Sequence, residues 1–476
     1  MLSNYFLNQI ENNLRYEPTG EQREVLKKWS EFLFSRNDRS LFLLKGYAGT
    51  GKSSLVGVIV KTLNDLKQKS VLLAPTGRAA KVFSAYSGQN AYTIHKKIYR
   101  QKEFSNEPKG FVLVDNLHKN TLFIVDEASM ISNDGLDSSF FGSGRLLNDL
   151  IRYVYGGEGC RLVLLGDSAQ LPPVSQPKSP ALDISTLQGY GLDVLSLTLT
   201  EVVRQAKTSD ILTNATLLRE KMETGQTNDF PQLLARKGSD VQVVNGEDLL
   251  EAIQEAYHRD GLEETIVITR SNKQANNFNN FIRNRILFRE DELATGDILM
   301  AVKNNYHWAK EVESMDFIAN GDLMEILRVR RFQELYGFRF CDVTARFPDY
   351  DTEIDLKILL ETLHSDSPSL PKELNDKLFY AILEDYADIP EKHEKMKQMK
   401  VNPHYNVVQI KYAYAVTCHK AQGGQWKNVF LDLSRISREQ LGIDFFRWLY
   451  TAFTRATERI FLINPAKELA TNAERE

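Results

Sequence analysis

Two α/β domains, each built on a parallel sheet, are what this 476-residue chain predicts. Three observations carry that expectation. Short apolar runs alternate with helical stretches from Ser40 to about Gln205, and the alternation resumes near Thr265. A glycine-rich turn, GYAGTGKS, joins the first apolar run to the first helix of the series. The strand segments are unbroken apolar runs rather than alternating ones, as strands covered on both faces require.

Taken in order, the first series is LFLLKG with a helix from Lys52, SVLLAPT with a helix from Arg78, then TLFIVDE, RLVLLGD and VLSLTLT. An early amphipathic helix carrying Gln22 precedes it, with Thr19 in the capping position. Residues 96–120, from Lys96 to Asn120, are too polar and too rich in turn formers for another buried unit. They suit a small insertion, a hairpin closed around Asn106 to Gly110. The second series is TIVITRS with a helix through Asn276 to Leu287, then VTCHKAQGG, NVFLDL and RIFLIN. Between its halves DILMAVKN, DLMEILRVRRF and FRFCDVTARF suit a small β-barrel, and the charged run around Leu374 to Met399 suits helix with a solvated face. After Asn464 the tail is expected to fray. The boundaries that follow are 1–205 for the first domain, 206–318 with 408–476 for the second, and 319–407 for its insertion.

Composition narrows the function. A hydrophobic fraction of 42% supports several cores, and a net charge of −4 offers no global basic field, so any nucleic-acid site must be a local groove. Cys160, Cys341 and Cys418 stand far apart, without the spacing of a zinc module or a disulfide framework. With no leader-like start and no apolar run near the roughly 18 residues a bilayer needs, the expected location is cytoplasmic, away from membranes.

The chemistry concentrates at strand ends. In GYAGTGKS and the Ser54 after it, the amides of Gly46, Ala48, Gly49, Thr50, Gly51, Lys52, Ser53 and Ser54 can turn toward phosphate oxygens. Lys52 reaches the β and γ phosphates, and the Ser53 hydroxyl serves Mg²⁺. Asp126 and Glu127 emerge together from TLFIVDE: Asp126 would hold Mg²⁺, and Glu127 would orient and deprotonate the attacking water. The Gln22 amide offers the donor and acceptor that an adenine edge requires. Gln170, in GDSAQLPPV, lies where a side chain can contact the terminal phosphate and report it elsewhere. Arg204 in LTEVVRQ and Arg455 in YTAFTRA could supply the cation that ATP hydrolysis takes from the opposite wall of a cleft. Pro75, Thr76, Gly77 and Arg78 form a strand-to-helix turn suited to phosphodiesters. His95 in TIHK, and Thr417, His419 and Lys420 in TCHKAQGGQW, repeat that chemistry as backbone contacts that position a strand without reading its sequence.

In order, Gln22, GYAGTGKS, APTGRAAK, TIHK, VDEASM, GDSAQLPPV, LTEVVRQ, VTCHKAQGG and YTAFTRA resemble the superfamily 1 helicases, nearest to the RecD-like and Dda-like branch. The resemblance runs from about Gln22 to Ile463. It implies two RecA-like domains with a pin inserted in the first and an SH3-like barrel in the second. Lys52, Ser53, Asp126, Glu127, Gln170, Arg204 and Arg455 then serve hydrolysis of ATP with Mg²⁺, and Thr76, His95, Thr417 and His419 lie along single-stranded DNA. Phe104 or Phe111 would either stack at a duplex fork or form the pin's small core. Gln425 stands where many members have a glutamate on the nucleotide ribose, and the segment from Met130 to Arg161 lacks the longer signature of Pif-type helicases.

The implied activity is an ATP-dependent DNA helicase, a monomer moving 5′ to 3′ on single-stranded and forked DNA, with protein partners in replication, recombination or repair. Two alternatives stay open on sequence alone: an auxiliary ATPase and DNA-binding subunit of a larger nuclease or repair assembly, and an RNA helicase.

Overall fold

The computed structural model describes residues 2–101, 111–135, 142–203, 209–310, 312, 314–315 and 317–472. The first series contains β1 (Ser40–Gly46), β2 (Ser70–Ala74), β3 (Ala91–Thr93), an antiparallel pair β4 (Tyr99–Gln101) and β5 (Phe111–Leu113), then β6 (Leu122–Val125), β7 (Arg161–Gly166) and β8 (Asp193–Leu199). Apart from β4 and β5, these form one parallel sheet in the order β3-β2-β6-β7-β1-β8. Helices flank it, and their apolar sides bury the sheet on both faces. Phe42, Leu44, Val56 and Ile59 belong to one core, and Leu41, Leu43, Phe123 and Val125 to the other.

The second series contains β9 (Leu233–Ala235), β10 (Val241–Val244), β11 (Thr265–Thr269), β12 (Ile298–Ala301), β13 (Leu323–Leu335), β14 (Phe338–Phe347), β15 (Thr352–Leu359), β16 (Val408–Tyr412), β17 (Ala415–Thr417), β18 (Trp426–Asp432), β19 (Ala456–Ile463) and β20 (Ala470–Asn472). A parallel sheet runs β10-β19-β18-β11-β17, and β12 to β16 close into a five-stranded barrel. Helices Lys372–Glu384 and Lys392–Val401 lie between β15 and β16. They cover one end of the barrel through Leu378, Ile382 and Met399, packed on Phe338 and Phe340. Among the described residues no helix is long and apolar enough to cross a membrane.

The structure departs from the sequence expectations in four places. The barrel begins at Ile298 and ends at Tyr412, so its first and last strands lie outside 319–407; β12 falls within DILMAVKN, and β16 is the short segment VQIKY next to a sheet strand in the chain. Strands β3 and β10 carry no long apolar run and were not foreseen. The tail does not fray at Asn464: Leu469 is fully buried, and β20 pairs with β9. In the insertion β4 and β5 pair as a hairpin would, whereas its tip, Asn106 to Gly110, and Phe104 lie outside the described residues. Phe111 is buried against Tyr306 and Phe317, with ring centroids at 4.7 and 6.0 Å, so it belongs to a core and not to an exposed stacking surface.

The chain enters the barrel through a buried ion pair. Asp297, fully buried just before β12, receives Arg283 through two hydrogen bonds of 3.0 Å, Arg289 at 2.7 Å and the Tyr414 hydroxyl at 3.0 Å. Removing one partner leaves a buried charge partly uncompensated. Arg283→Met is therefore expected to lower unfolding free energy by about 3 kcal/mol, measured by urea denaturation.

Candidate nucleotide and nucleic-acid site

The phosphate loop is shaped by its glycines. Gly49 and Gly51 have φ of 76° and 73°, a region other residues adopt at a cost, and a Cβ on Gly51 would stand 2.7 Å from the Gln22 amide nitrogen. Helix Lys52–Asp65 begins here; its start leaves amide donors without intrahelical acceptors, a setting for anionic oxygens. Gln22 supports the loop from behind. It is 1% exposed; its Nε2 donates to Thr50 O at 2.9 Å, and its Oε1 accepts the Thr19 N–H in a capping box. One N–H and one lone pair of the amide remain for a base edge. A cavity of about 450 Å³ lined by Tyr16, Gln22, Gly51 and Val203 lies on that side of the loop.

On the other side Lys52, Ser53, Glu127, Asp167, Gln170, Gln425 and Arg455 line a cleft of about 380 Å³ between the two domains. Glu127 follows β6 with φ of 51°, an uncommon conformation for a non-glycine residue and one often held at functional sites. Its Oε2 is buried without a partner among the described residues. Burial pushes its pKa up, opposed chiefly by the Arg455 guanidinium 3.9 Å from Oε1. A buried carboxylate with a free oxygen and a raised pKa has the properties of a general base. Asp126, nearly buried, accepts the Tyr86 hydroxyl at 2.6 Å on one oxygen and the Glu127 N–H at 2.8 Å on the other, so each oxygen retains acceptor capacity. Its carboxylate and the Ser53 hydroxyl are hard-oxygen donors of the kind that suits Mg²⁺.

Arg455, 3% exposed, is anchored by Thr451 O at 3.1 Å, Gly424 O at 3.3 Å and the Thr454 hydroxyl at 3.1 Å. Arg204 lies outside the described residues. Gln170 is 7% exposed, with its Oε1 unpartnered among them. Sequence reasoning missed the contacts that tie its segment to the second domain. Tyr450 donates to Asp167 at 2.6 Å and accepts the Ala48 N–H at 2.9 Å; Leu171 N–H donates to Thr451 at 2.8 Å, and Gln422 donates to Leu171 O at 2.8 Å. The signal available was the adjacency of Tyr450 and Thr451 to Arg455, which says nothing about reach. Tyr86 was missed for the same reason.

The turns expected to face a strand converge at the junction of both domains and the barrel. Thr76 caps helix Gly77–Ser87 by accepting the Ala79 N–H, and Thr93 caps helix Ile94–Ile98 by accepting the Lys96 N–H. Gly423 approaches so closely that a Cβ there would lie 3.1 Å from the Thr76 hydroxyl, and one on Gly77 would lie 2.5 Å from the Tyr350 hydroxyl. Arg78 does not present its charge as expected at a phosphodiester: its guanidinium stacks on Trp426 at 3.9 Å and donates to Gln425 O at 3.1 Å. His95 packs between the rings of Tyr99 and Phe317, and burial holds its pKa down at about 4, so it meets any strand as a neutral imidazole. Lys420 bonds Asn320, and burial brings its pKa to about 8. Thr417 and His419 occupy the first turn of helix Cys418–Ala421 and its cap.

A phosphate loop, a carboxylate pair at a neighbouring strand end and an arginine from a second domain define a P-loop NTPase whose nucleotide cleft is shared by two domains. Comparison with known proteins agrees. The AAA domain family matches residues 19–239, and the UvrD-like helicase C-terminal domain family matches 412–463. An uncharacterized protein of Acanthamoeba polyphaga mimivirus is 24% identical over 92% of this chain and 98% of its own. The ATP-dependent DNA helicase dda of Enterobacteria phage T4 is 26% identical over 54% of this chain and 55% of its own, and the ATP-dependent RecD2 DNA helicase of Deinococcus radiodurans is 30% identical over 36% and 21%. The chain thus spans about half of one named helicase and a fifth of the other. These likenesses support a superfamily 1 helicase of the RecD and Dda type.

Asp322, beside Gly77, is buried, and desolvation lifts its carboxyl to about 7 despite bonds from the Ala319 N–H and the Tyr350 hydroxyl. The folded protein therefore keeps a proton that the unfolded chain releases near pH 4. The stability this contributes is complete below that pH and is lost as pH rises through about 7. Asp322→Asn should flatten the decline of Tm between pH 4 and 7.5 in thermal melts of the two proteins.

Proposed function

We propose that this protein is an ATP-dependent DNA helicase that moves along single-stranded DNA 5′ to 3′ and unwinds forked duplex. The observation that carries this is Arg455, held by the second domain 3.9 Å from the first domain's Glu127 across the nucleotide cleft. Hydrolysis chemistry divided between two bodies makes closure of the cleft depend on the nucleotide. Lys52 and Arg455 gain a partner when the γ-phosphate is present and lose it after cleavage. The strand-facing turns around Thr76 and Gly423 stand on opposite sides of the same seam, so a change in the cleft changes their separation. The DNA-helicase names of the two relatives support DNA as the track.

Ser53 and Asp126 would hold Mg²⁺, which supplies charge neutralisation to the phosphates when bound. Glu127 takes the proton of the attacking water at its free Oε2, and Arg455 stabilises charge on the γ-phosphoryl oxygens. Tyr86 keeps the Asp126 carboxylate oriented through its hydroxyl.

Assays on duplexes with a 5′ or a 3′ single-stranded tail test activity and direction together. The 5′-tailed substrate should be opened in the presence of ATP and the 3′-tailed one left intact, and Lys52→Ala should open neither. Unwinding of the 3′-tailed substrate alone would reverse the assigned direction. ATPase stimulated by single strands without any unwinding would favour an auxiliary subunit, and stronger stimulation by RNA than by DNA would move the track to RNA. Arg455→Ala is expected to lower kcat for ATP by about 10³ or more, measured by phosphate production at saturating strand. Gln170→Ala should keep nucleotide affinity but unwind fewer base pairs per ATP; lost affinity with intact coupling would assign the residue a different role.

A further inference from the structure

A second polar cavity, of about 150 Å³, shares Asp167 and Gln170 with the wall of the nucleotide cleft. Ser129, Ser168, Lys178 and Arg447 also line it. Two of these groups are buried and unsatisfied among the described residues: the hydroxyl of Ser129, which is 1% exposed, and the Oε1 of Gln170. A buried polar atom without a partner costs free energy, and the space exceeds what a single water needs.

The remaining valences decide what the cavity suits. Asp167 is held in place, because one oxygen accepts the Ala169 N–H at 2.9 Å and the other the Tyr450 hydroxyl. Asp183, at the edge, gathers the hydroxyl of Ser185 and the hydroxyl and N–H of Thr186 on Oδ2. The groups with capacity left are donors and cations with one acceptor among them, Gln170 Oε1. Ser129 has a free O–H, Lys178 makes no ion pair among the described residues, and Arg447 donates one N–H to Pro177 O at 2.9 Å with only a 4.0 Å contact to Asp444. Donors and cations around a small polar space, with an acceptor for a remaining P–O–H proton, fit a tetrahedral oxyanion such as hydrogen phosphate.

We infer that this cavity receives inorganic phosphate after hydrolysis and conducts it past Gln170 to solvent between Lys178 and Arg447. The inference rests on the ATPase reading above. Ser129 and Lys178 belong to the first domain and Arg447 to helix Ile443–Phe453 of the second, so the width of the exit follows the position of the two domains. Phosphate then leaves by a route separate from the cleft that still holds the nucleoside diphosphate, and Gln170 stands between the two spaces.

The test compares cleavage with release in one turnover. Quenched-flow measurement of ATP cleavage and stopped-flow measurement of free phosphate with a fluorescent phosphate sensor are run on the full chain with saturating single-stranded DNA. Lys178→Glu reverses a charge on an exposed side chain, and Ser129→Val narrows the space from inside. Both variants should cleave ATP within twofold of the wild-type rate and release phosphate at least fivefold more slowly than the wild type. Release that keeps its wild-type rate in Lys178→Glu, with cleavage also unchanged, would overturn the inference whether or not Ser129→Val folds. A wild-type protein that cleaves no ATP would instead sink the hydrolysis reading, and the phosphate route with it.

Discussion

The hydroxyl of Tyr450 is the interaction on which the arrangement of the two domains depends. It is buried at their seam, donates to the Asp167 carboxylate at 2.6 Å and accepts the Ala48 N–H of the phosphate loop at 2.9 Å. One phenol thus fixes the second domain to two strand ends of the first. Burial would push the Asp167 pKa up; Lys52 and Tyr450 work against it, so the same carboxylate takes part in the cleft's charge balance and in the seam. Buried polar networks of this kind stabilise when every member is satisfied and become costly when one is missing. The neighbouring bonds of Leu171 to Thr451 and Gln422 extend the network along the segment that carries Gln170. Whatever moves Gln170 is therefore mechanically close to the second domain.

The side proposed to face the strand is held by close backbone approach instead. Gly423, with φ of 74°, lets the second domain meet Thr76, and Gly77 lets the barrel's Tyr350 meet the same turn. From that turn helix Gly77–Ser87 leads to Tyr86, whose hydroxyl reaches Asp126 and whose carbonyl lies 2.7 Å from where a Cβ on Gly57 of the phosphate-loop helix would stand. One helix therefore joins the turn proposed to face the strand to the carboxylate proposed to hold Mg²⁺. The two glycines differ in what they require: Gly423 needs its unusual φ as well as space, whereas Gly57 needs only space.

Much of this was legible beforehand because it rests on local chemistry. The apolar runs of β1, β6 and β7 must be buried on both faces, a phosphate loop must follow a strand and begin a helix, and a carboxylate pair after LFIV must emerge at the sheet's carboxyl edge. The tertiary structure changed what depends on partners distant in the chain. Arg78 has the chemistry of a phosphate ligand in isolation, but Trp426 lies 348 positions away and takes its guanidinium. Phe111 could have been a stacking residue until Tyr306 and Phe317 closed over it. The barrel outgrew the 319–407 span although DILMAVKN, which contains β12, reads as barrel in sequence, and only the closing of the ring adds β16.

By itself the sequence determined the class of chemistry, since glycine, lysine, hydroxyl and carboxylate at strand ends suit few ligands other than a nucleoside triphosphate with its metal. It also determined the order of the two sheet-forming series and the places where they are interrupted, because the period and length of apolar runs are local properties. Only the tertiary structure decided which side chains complete the cleft from the far wall, which cations are already spent, and which polar atoms remain buried and unpaired. Those properties are set by distances between segments hundreds of residues apart, and hydrogen bonds and charges act only at distances that folding establishes.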